Sequence, residues 1–201
     1  MPNHCSNRLG ITGPIDDVEK FIALVKNDGD DKDENEYNLF ESLIPMPKEL
    51  EGTTSPSKEG NVDLINKYGH DNWYDWCNSK WGTKWGDYSM NAESISYETK
   101  INYPHLEDGD VDFENGVSVL TGNASIHFEY DTAWAPGCDE LAEAIVKQFP
   151  TLNGYIHYEE PGMCFAGQLI FANGEIRQHD QWEHHYVPEE VTDIDFDLYA
   201  N

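Results

Sequence analysis

From Ser125 to Gln178 the spacing of apolar positions changes repeatedly, and each change marks an element. Ile126, Phe128 and Tyr130 alternate with Ser125, His127 and Glu129, the two-residue period of a strand with one buried face. Pro136, Gly137, Cys138 and Asp139 then open a helix. Glu140 suits its positive end, and Leu141, Ile145 and Phe149 recur at helical spacing until Pro150 stops it. Tyr155 to Glu159 reads as a second strand. After Pro161-Gly162, Phe165, Gly167, Leu169 and Phe171 line one face of a third, and Asn173-Gly174 is the dipeptide of a type I′ hairpin turn into Ile176.

The start of the chain repeats this order. Leu9 and Ile11 alternate with Arg8 and Gly10 in a short strand from Asn7 to Thr12. Gly13-Pro14 opens a helix with Asp16, Asp17 and Glu19 in its first turns and Val18, Phe21, Ile22 and Val25 on one buried face. Two strand–helix units on one sheet predict an α+β fold: a ferredoxin-like antiparallel sheet with helices on one face. One domain spans residues 1–201, its core drawn from 1–27 and 106–201. Residues 37–105 read as an insertion rich in tryptophan, in which Trp73 and Trp76 are three apart and Trp81 and Trp85 four apart, spacings that suit short helices. Asn27 to Glu36 has six acids and no apolar residue, a solvated loop. Ile44-Pro45-Met46-Pro47 is a stiff connector, Gly52 to Gly60 a loop, and Ile95 to Tyr103 a strand.

Two further runs alternate acids with apolar residues. Asp108, Asp110, Asp112 and Glu114 flank Val111 and Phe113, and Asp193, Asp195 and Asp197 flank Ile194 and Phe196. In a strand each run puts a row of carboxylates on one face and apolar side chains on the other. No Lys or Arg follows Arg177.

Charge sharpens that observation. The 201 residues hold 39 acids against 12 Lys and Arg, a formal charge of −27 that no single tail accounts for. Such a field disfavours phosphate backbones and anionic membranes, because nucleic-acid affinity comes largely from Lys and Arg displacing counterions. Its natural complement is a basic protein; solubility or salt adaptation is the plainer reading. Cysteines at 5, 77, 138 and 164 form no Cys-x-x-Cys and no close pair, so neither a disulfide framework nor a zinc knuckle is expected. With no apolar leader and no run approaching 18 apolar residues, a cytoplasmic protein with reduced thiols is expected.

Several stretches resemble the Api-like family of phage and plasmid proteins. They are the opening Met-Pro-Asn-His-Cys-Ser-Asn-Arg-Leu, the Ile44-Pro45-Met46-Pro47 connector, Trp81-Gly82-Thr83-Lys84-Trp85, and Asp131-Thr132-Ala133-Trp134-Ala135-Pro136. The resemblance implies a ferredoxin-like domain and a mobile-element origin. It implies no settled activity and no catalytic residue, and the acidic runs are not part of it.

Other clusters favour structural roles. The acidic run from Asp108 fails the calcium-loop pattern, with Phe113 where Gly is needed and Val119 where Glu is needed. His179, Asp180, Glu183, His184 and His185 form the densest group of potential metal ligands. His179 and Glu183 would share a face if the segment were helical, but a surface cluster without an ion is the better reading. His4 and Cys5, with His127 and His157 on strands, supply a thiol and imidazoles. Adjacent residues on an extended segment point apart, and Cys5 is expected to tie down the N-terminus. Trp73, Trp76 and Trp134 are expected in the core; Trp81 and Trp85 are candidate aromatic anchors for a partner. No cofactor and no resident metal are expected.

The favoured function is non-enzymatic. The acidic face of a phage- or plasmid-encoded inhibitor occupies the basic nucleic-acid channel of a host defence complex, as a DNA mimic of restriction or CRISPR machinery would. A single row is too sparse to imitate one strand: carboxylates two residues apart lie about 6.6 Å apart, against about 3.4 Å per phosphate. Rows would have to combine, or charge alone would block the channel. The alternatives are a small-molecule-binding or enzymatic module, with a pocket between the insertion and the sheet near Trp85, His127, Trp134 and His157, and a self-assembling structural component.

Overall fold

The computed structural model describes residues 3–27, 36–57, 60–102 and 116–184. Their elements run β1 (His4–Pro14), α1 (Ile15–Val25), α2 (Leu39–Leu43), α3 (Val62–Tyr68), α4 (Trp73–Lys80), β2 (Tyr88–Ala92), β3 (Ser96–Asn102), β4 (Val117–Ala133), α5 (Cys138–Gln148), β5 (Asn153–Glu160), β6 (Phe165–Ala172) and β7 (Glu175–Glu183). Among the described residues seven strands form one sheet in the order β2-β4-β1-β5-β6-β7, with β3 pairing the far end of β4. Every pairing is antiparallel. β4 and β5 are therefore parallel to one another with β1 between them, joined through α5; β1 and β2 are likewise parallel with β4 between them, α1 leading off the first. These two interleaved split units are the ferredoxin-like core. β6 and β7 extend it by hairpins, the second turning at Asn173 and Gly174, where φ is 54° and 74° as a type I′ turn demands.

The expected helix faces are the buried ones. Val18, Phe21 and Val25 of α1 and Leu141, Ala142 and Ile145 of α5 lie on the sheet, against Leu9, Ile11, Phe128, Ile156, Leu169 and Phe171. Edge-to-face rings knit this layer: Phe21 meets Phe128 at 6.1 Å and Phe149 at 5.5 Å. The tryptophan-rich segment joins the same core through Leu39, Phe40, Leu50, Trp76 and Trp81. It is helical only in part, because β2 and β3, inside the expected insertion, are strands of the main sheet. The partner strand β4 decides this by presenting unpaired backbone groups on its outer edge.

α2 has no side-chain cap of its own. Instead the Asp87 carboxylate, 48 residues along, accepts from the Leu39 and Phe40 N–H groups at 3.1 and 2.8 Å. Two further hydrogen bonds tie the segment after α4 to the turn between β4 and α5 and to the connector at Ile44. Thr83 Oγ1 donates to Ala133 O at 2.8 Å, and Trp81 Nε1 donates to Ile44 O at 2.8 Å.

Replacing Thr83 with Val keeps the volume and removes the donor. Leaving the Ala133 carbonyl short of a partner should cost about 1–2 kcal/mol. For a chain of this size that predicts a Tm lower by roughly 2–8 °C in thermal denaturation followed by circular dichroism.

Candidate functional site on the open face of the sheet

Strand alternation sends one set of residues to the helices and the other to a face that no described element covers. On β1 the second set is His4, Ser6, Arg8 and Gly10. Its direct neighbours across β4 are Asp131, Glu129 and His127, opposite Ser6, Arg8 and Gly10, and across β5 they are Glu159, His157 and Tyr155. The next strands continue the face with Ala166, Gln168 and Ile170 of β6 and Gln178, Asp180 and Trp182 of β7.

Gly10 makes the surface concave. A Cβ there would stand 2.4 Å from the Tyr155 ring, so glycine lets that ring lie flat across β1. Tyr155 is thereby stacked 4.6 Å from His157 and 6.2 Å from His127. Beside it a cleft of about 530 Å³ is lined by Ser6, Arg8, Asn91, Glu129, Asp131, His157, Glu159, Ala166, Trp182 and His184, among others. Three carboxylates face one guanidinium in that lining. Arg8 Nη2 lies 3.5 Å from Glu93 Oε1 and its Nε 3.8 Å from Glu129 Oε1, loose pairs at half-exposed side chains that contribute little stability. Ser6 donates to Asp131 at 3.0 Å, and His184 Nε2 sits 3.2 Å from Glu159.

His157 is the perturbed base of the cleft. Burial lowers its pKa below the usual 6.5, opposed by its contact with Gln168 and aided by the Arg8 charge. The neutral ring, with Nε2 3.2 Å from Gln168 Oε1, turns Nδ1 away from that partner as an acceptor. The arrangement offers carboxylate oxygens and an imidazole nitrogen that can accept from hydrogen-bond donors. Cys5, expected to tie down the N-terminus rather than serve the imidazoles, is fully buried on the opposite face, where burial pushes its pKa up to about 12, while His4 points outward to the Tyr88 hydroxyl at 2.7 Å.

The histidine-rich run is divided by a strand, because β7 is extended where a helix was considered. His179 faces α5 on the covered side, with Nδ1 3.0 Å from Asp139 Oδ1 and Nε2 3.6 Å from Cys138 Sγ and 2.8 Å from Tyr158 Oη. Asp180 faces the cleft side, and His184 lines the cleft. Cys138, Asp139 and His179 are a group whose ligand atoms lie close enough together to hold a metal ion.

Of the sequence-derived site residues, Asp108, Asp110, Asp112 and Glu114 lie outside the described residues, in the stretch between β3 and β4. Asp193, Asp195 and Asp197 also lie outside them. Trp81 is no surface anchor: it is 7% exposed, stacked edge-on between Trp76 and Phe40, because the chain turns at Gly82 directly after α4. Trp85 is 40% exposed with the Lys84 ammonium 4.7 Å above its ring. Trp134, expected in the core, is 43% exposed, because its positive φ of 74° swings the side chain outward while its N–H donates to Asn3 O at 3.1 Å. Of the residues expected around a pocket, His157 lines this cleft and Trp85, His127 and Trp134 do not, and the tryptophan-rich segment contributes Ser89 and Asn91 to it. Arg8, Asp131, Glu159 and Trp182 were not singled out, although polar alternation on β1 and β4 marked their face.

The fold is thus an α+β, ferredoxin-like sheet with one face free of described structure. Residues 114–197 match a family model described as the ferredoxin-like domain in Api92-like protein. A crystal structure of a protein api92 from Yersinia pseudotuberculosis aligns with 94% of this chain and 100% of its own, at 13% identity and a TM-score of 0.46. No curated protein matches the sequence. No helix among the described residues is long and apolar enough to cross a membrane.

A depressed His157 pKa favours the folded state above the unfolded value, and that contribution is lost as pH falls through the folded value. Urea denaturation from about pH 7.5 down to about pH 5.5 should therefore show a larger loss of stability in the wild type than in His157→Gln. An NMR titration should place the His157 midpoint below 6.5.

Proposed function

We propose that this protein is a non-enzymatic binding protein that receives a cationic partner across the open face of its sheet. The observation that carries this reading is the cleft itself, whose lining sets Glu129, Asp131 and Glu159 against the single guanidinium of Arg8, in a chain of net charge −27. A guanidinium entering beside Glu159 meets carboxylate geometry suited to paired N–H donors and, at Trp182, an aromatic face on which it can stack. The long-range field steers the encounter, and the half-buried aromatic slows release.

In its sharper form the partner is the basic nucleic-acid channel of a host defence complex, of restriction or CRISPR type, and the protein is a phage- or plasmid-encoded inhibitor. The two acidic runs, Asp108 to Glu114 and Asp193 to Asp197, lie outside the described residues and add to the net negative charge. The second reading is a small-molecule module. It is favoured by one observation, a volume of about 530 Å³ within the usual range for ligand pockets and lined by both an imidazole and an indole.

The test is interference by a restriction or CRISPR system in cells expressing the protein, paired with titration of an arginine-rich peptide at several salt concentrations. The triple variant Glu129→Gln, Asp131→Asn, Glu159→Gln should weaken peptide binding roughly tenfold, flatten its salt dependence and restore interference. Equal affinity and an unchanged salt slope would remove the cleft from the mechanism. Peptide binding without any effect on interference would keep the cationic site and discard the defence partner.

A further inference from the structure

On the opposite side of the sheet from the cleft, we propose that Cys138, His179 and Tyr158 form a binding site for a divalent metal ion of zinc type, with Asp139 orienting the imidazole. Three elements converge there. Cys138 opens α5 after the left-handed Gly137. His179 comes from β7, on the side of that strand that faces the helix. Tyr158 comes from β5 and reaches across β6 because its register partner is Gly167; a Cβ at 167 would stand 2.2 Å from the phenol oxygen.

The distances fit the chemistry. A tetrahedral ion about 2.3 Å from sulfur and about 2.0–2.1 Å from an imidazole nitrogen places those atoms about 3.5–3.6 Å apart. Cys138 Sγ and His179 Nε2 are 3.6 Å apart. Asp139 occupies the other ring nitrogen at 3.0 Å, which fixes the tautomer with its proton on Nδ1 and turns the Nε2 lone pair toward sulfur and phenol. A carboxylate behind a histidine is the usual support of a metal-binding ring. Tyr158 Oη, 2.8 Å from Nε2, would shift by about half an ångström to take a third corner, leaving the fourth for water or a ligand. Sulfur, nitrogen and oxygen in this set select zinc or cobalt over calcium or magnesium.

Ion binding displaces two protons, that of the Cys138 thiol and that of the Tyr158 phenol, which without the ion is donated to His179 Nε2; both pass to solvent, and His179 binds through the Nε2 lone pair so freed. Cys138 is 3% exposed, with Asp139 and Glu140 following it in the first turn of α5. A cation there compensates both the buried sulfur and the acids around it. The site shares Tyr158 with the lining of the cationic cleft but none of the cleft's charged residues, so either can fail alone.

The experiment is titration of the full chain with Co²⁺, read by thiolate-to-cobalt charge-transfer absorption and by bleaching with Zn²⁺. Absorption saturating at one equivalent is expected. It should be lost in Cys138→Ser and His179→Gln and kept in Cys164→Ser. In Asp139→Asn it should persist with affinity about ten- to a hundredfold weaker. Should Cys138→Ser not fold by circular dichroism, His179→Gln decides. Absence of the band at saturating Co²⁺, or a band retained in a folded Cys138→Ser or His179→Gln variant, overturns the site.

Discussion

The structure depends on a knot of buried hydrogen bonds around the turn from Asp131 to Gly137. Ala133 O accepts from Thr83, Thr132 Oγ1 donates to Ala135 O, Asn7 Nδ2 reaches Thr132 Oγ1 at 3.0 Å, and Trp134 N–H donates to Asn3 O. Thr132 is fully buried and Asn7 and Thr83 nearly so, and an unpartnered polar group there would be costly. The knot joins the N-terminal strand, the segment after α4 and the start of α5, three pieces distant in sequence. With Trp81 reaching Ile44 O, it also ties in the Ile44-Pro45-Met46-Pro47 connector. These contacts lock the helices and the tryptophan-rich segment onto one side of the sheet.

Fixing one side leaves the other to do something else. Because alternate residues of a strand point apart, β1, β4, β5 and β7 each carry an apolar or structural set inward and a polar set outward. Arg8, Glu129 and His157 meet as neighbours on three strands, while Leu9, Phe128 and Ile156 one position away fill the core. On β7 the same geometry sends His179 to α5 and Asp180 to the other face, dividing one histidine-rich run between two chemistries.

Much of this was legible in the sequence, where local periodicity and burial agree. The faces of α1 and α5, the alternation at Ile126 to Tyr130 and the Asn173-Gly174 turn follow from local rules, and the structure has them. Long-range contact was not legible. Trp81 and Trp134 are both tryptophans near Gly or Pro; only Gly82 on one side and a left-handed backbone on the other decide that the first is buried and the second exposed. β7 carries Gln178 to Trp182 with little apolar alternation, so its strand form is imposed by backbone pairing to β6. The cleft was unreadable for the same reason, since residues near 8, 130 and 158 become neighbours only through register.

β7 also ends the sheet among the described residues, with a partner on one side alone. A bare strand edge invites another chain to add to it, and proteins discourage this with charge. Here Glu175, Arg177, Asp180 and Glu183 punctuate the edge, on a molecule whose copies repel one another strongly. The same acidity that suits a cationic partner therefore guards the border of the sheet against aggregation and against templating by its own kind.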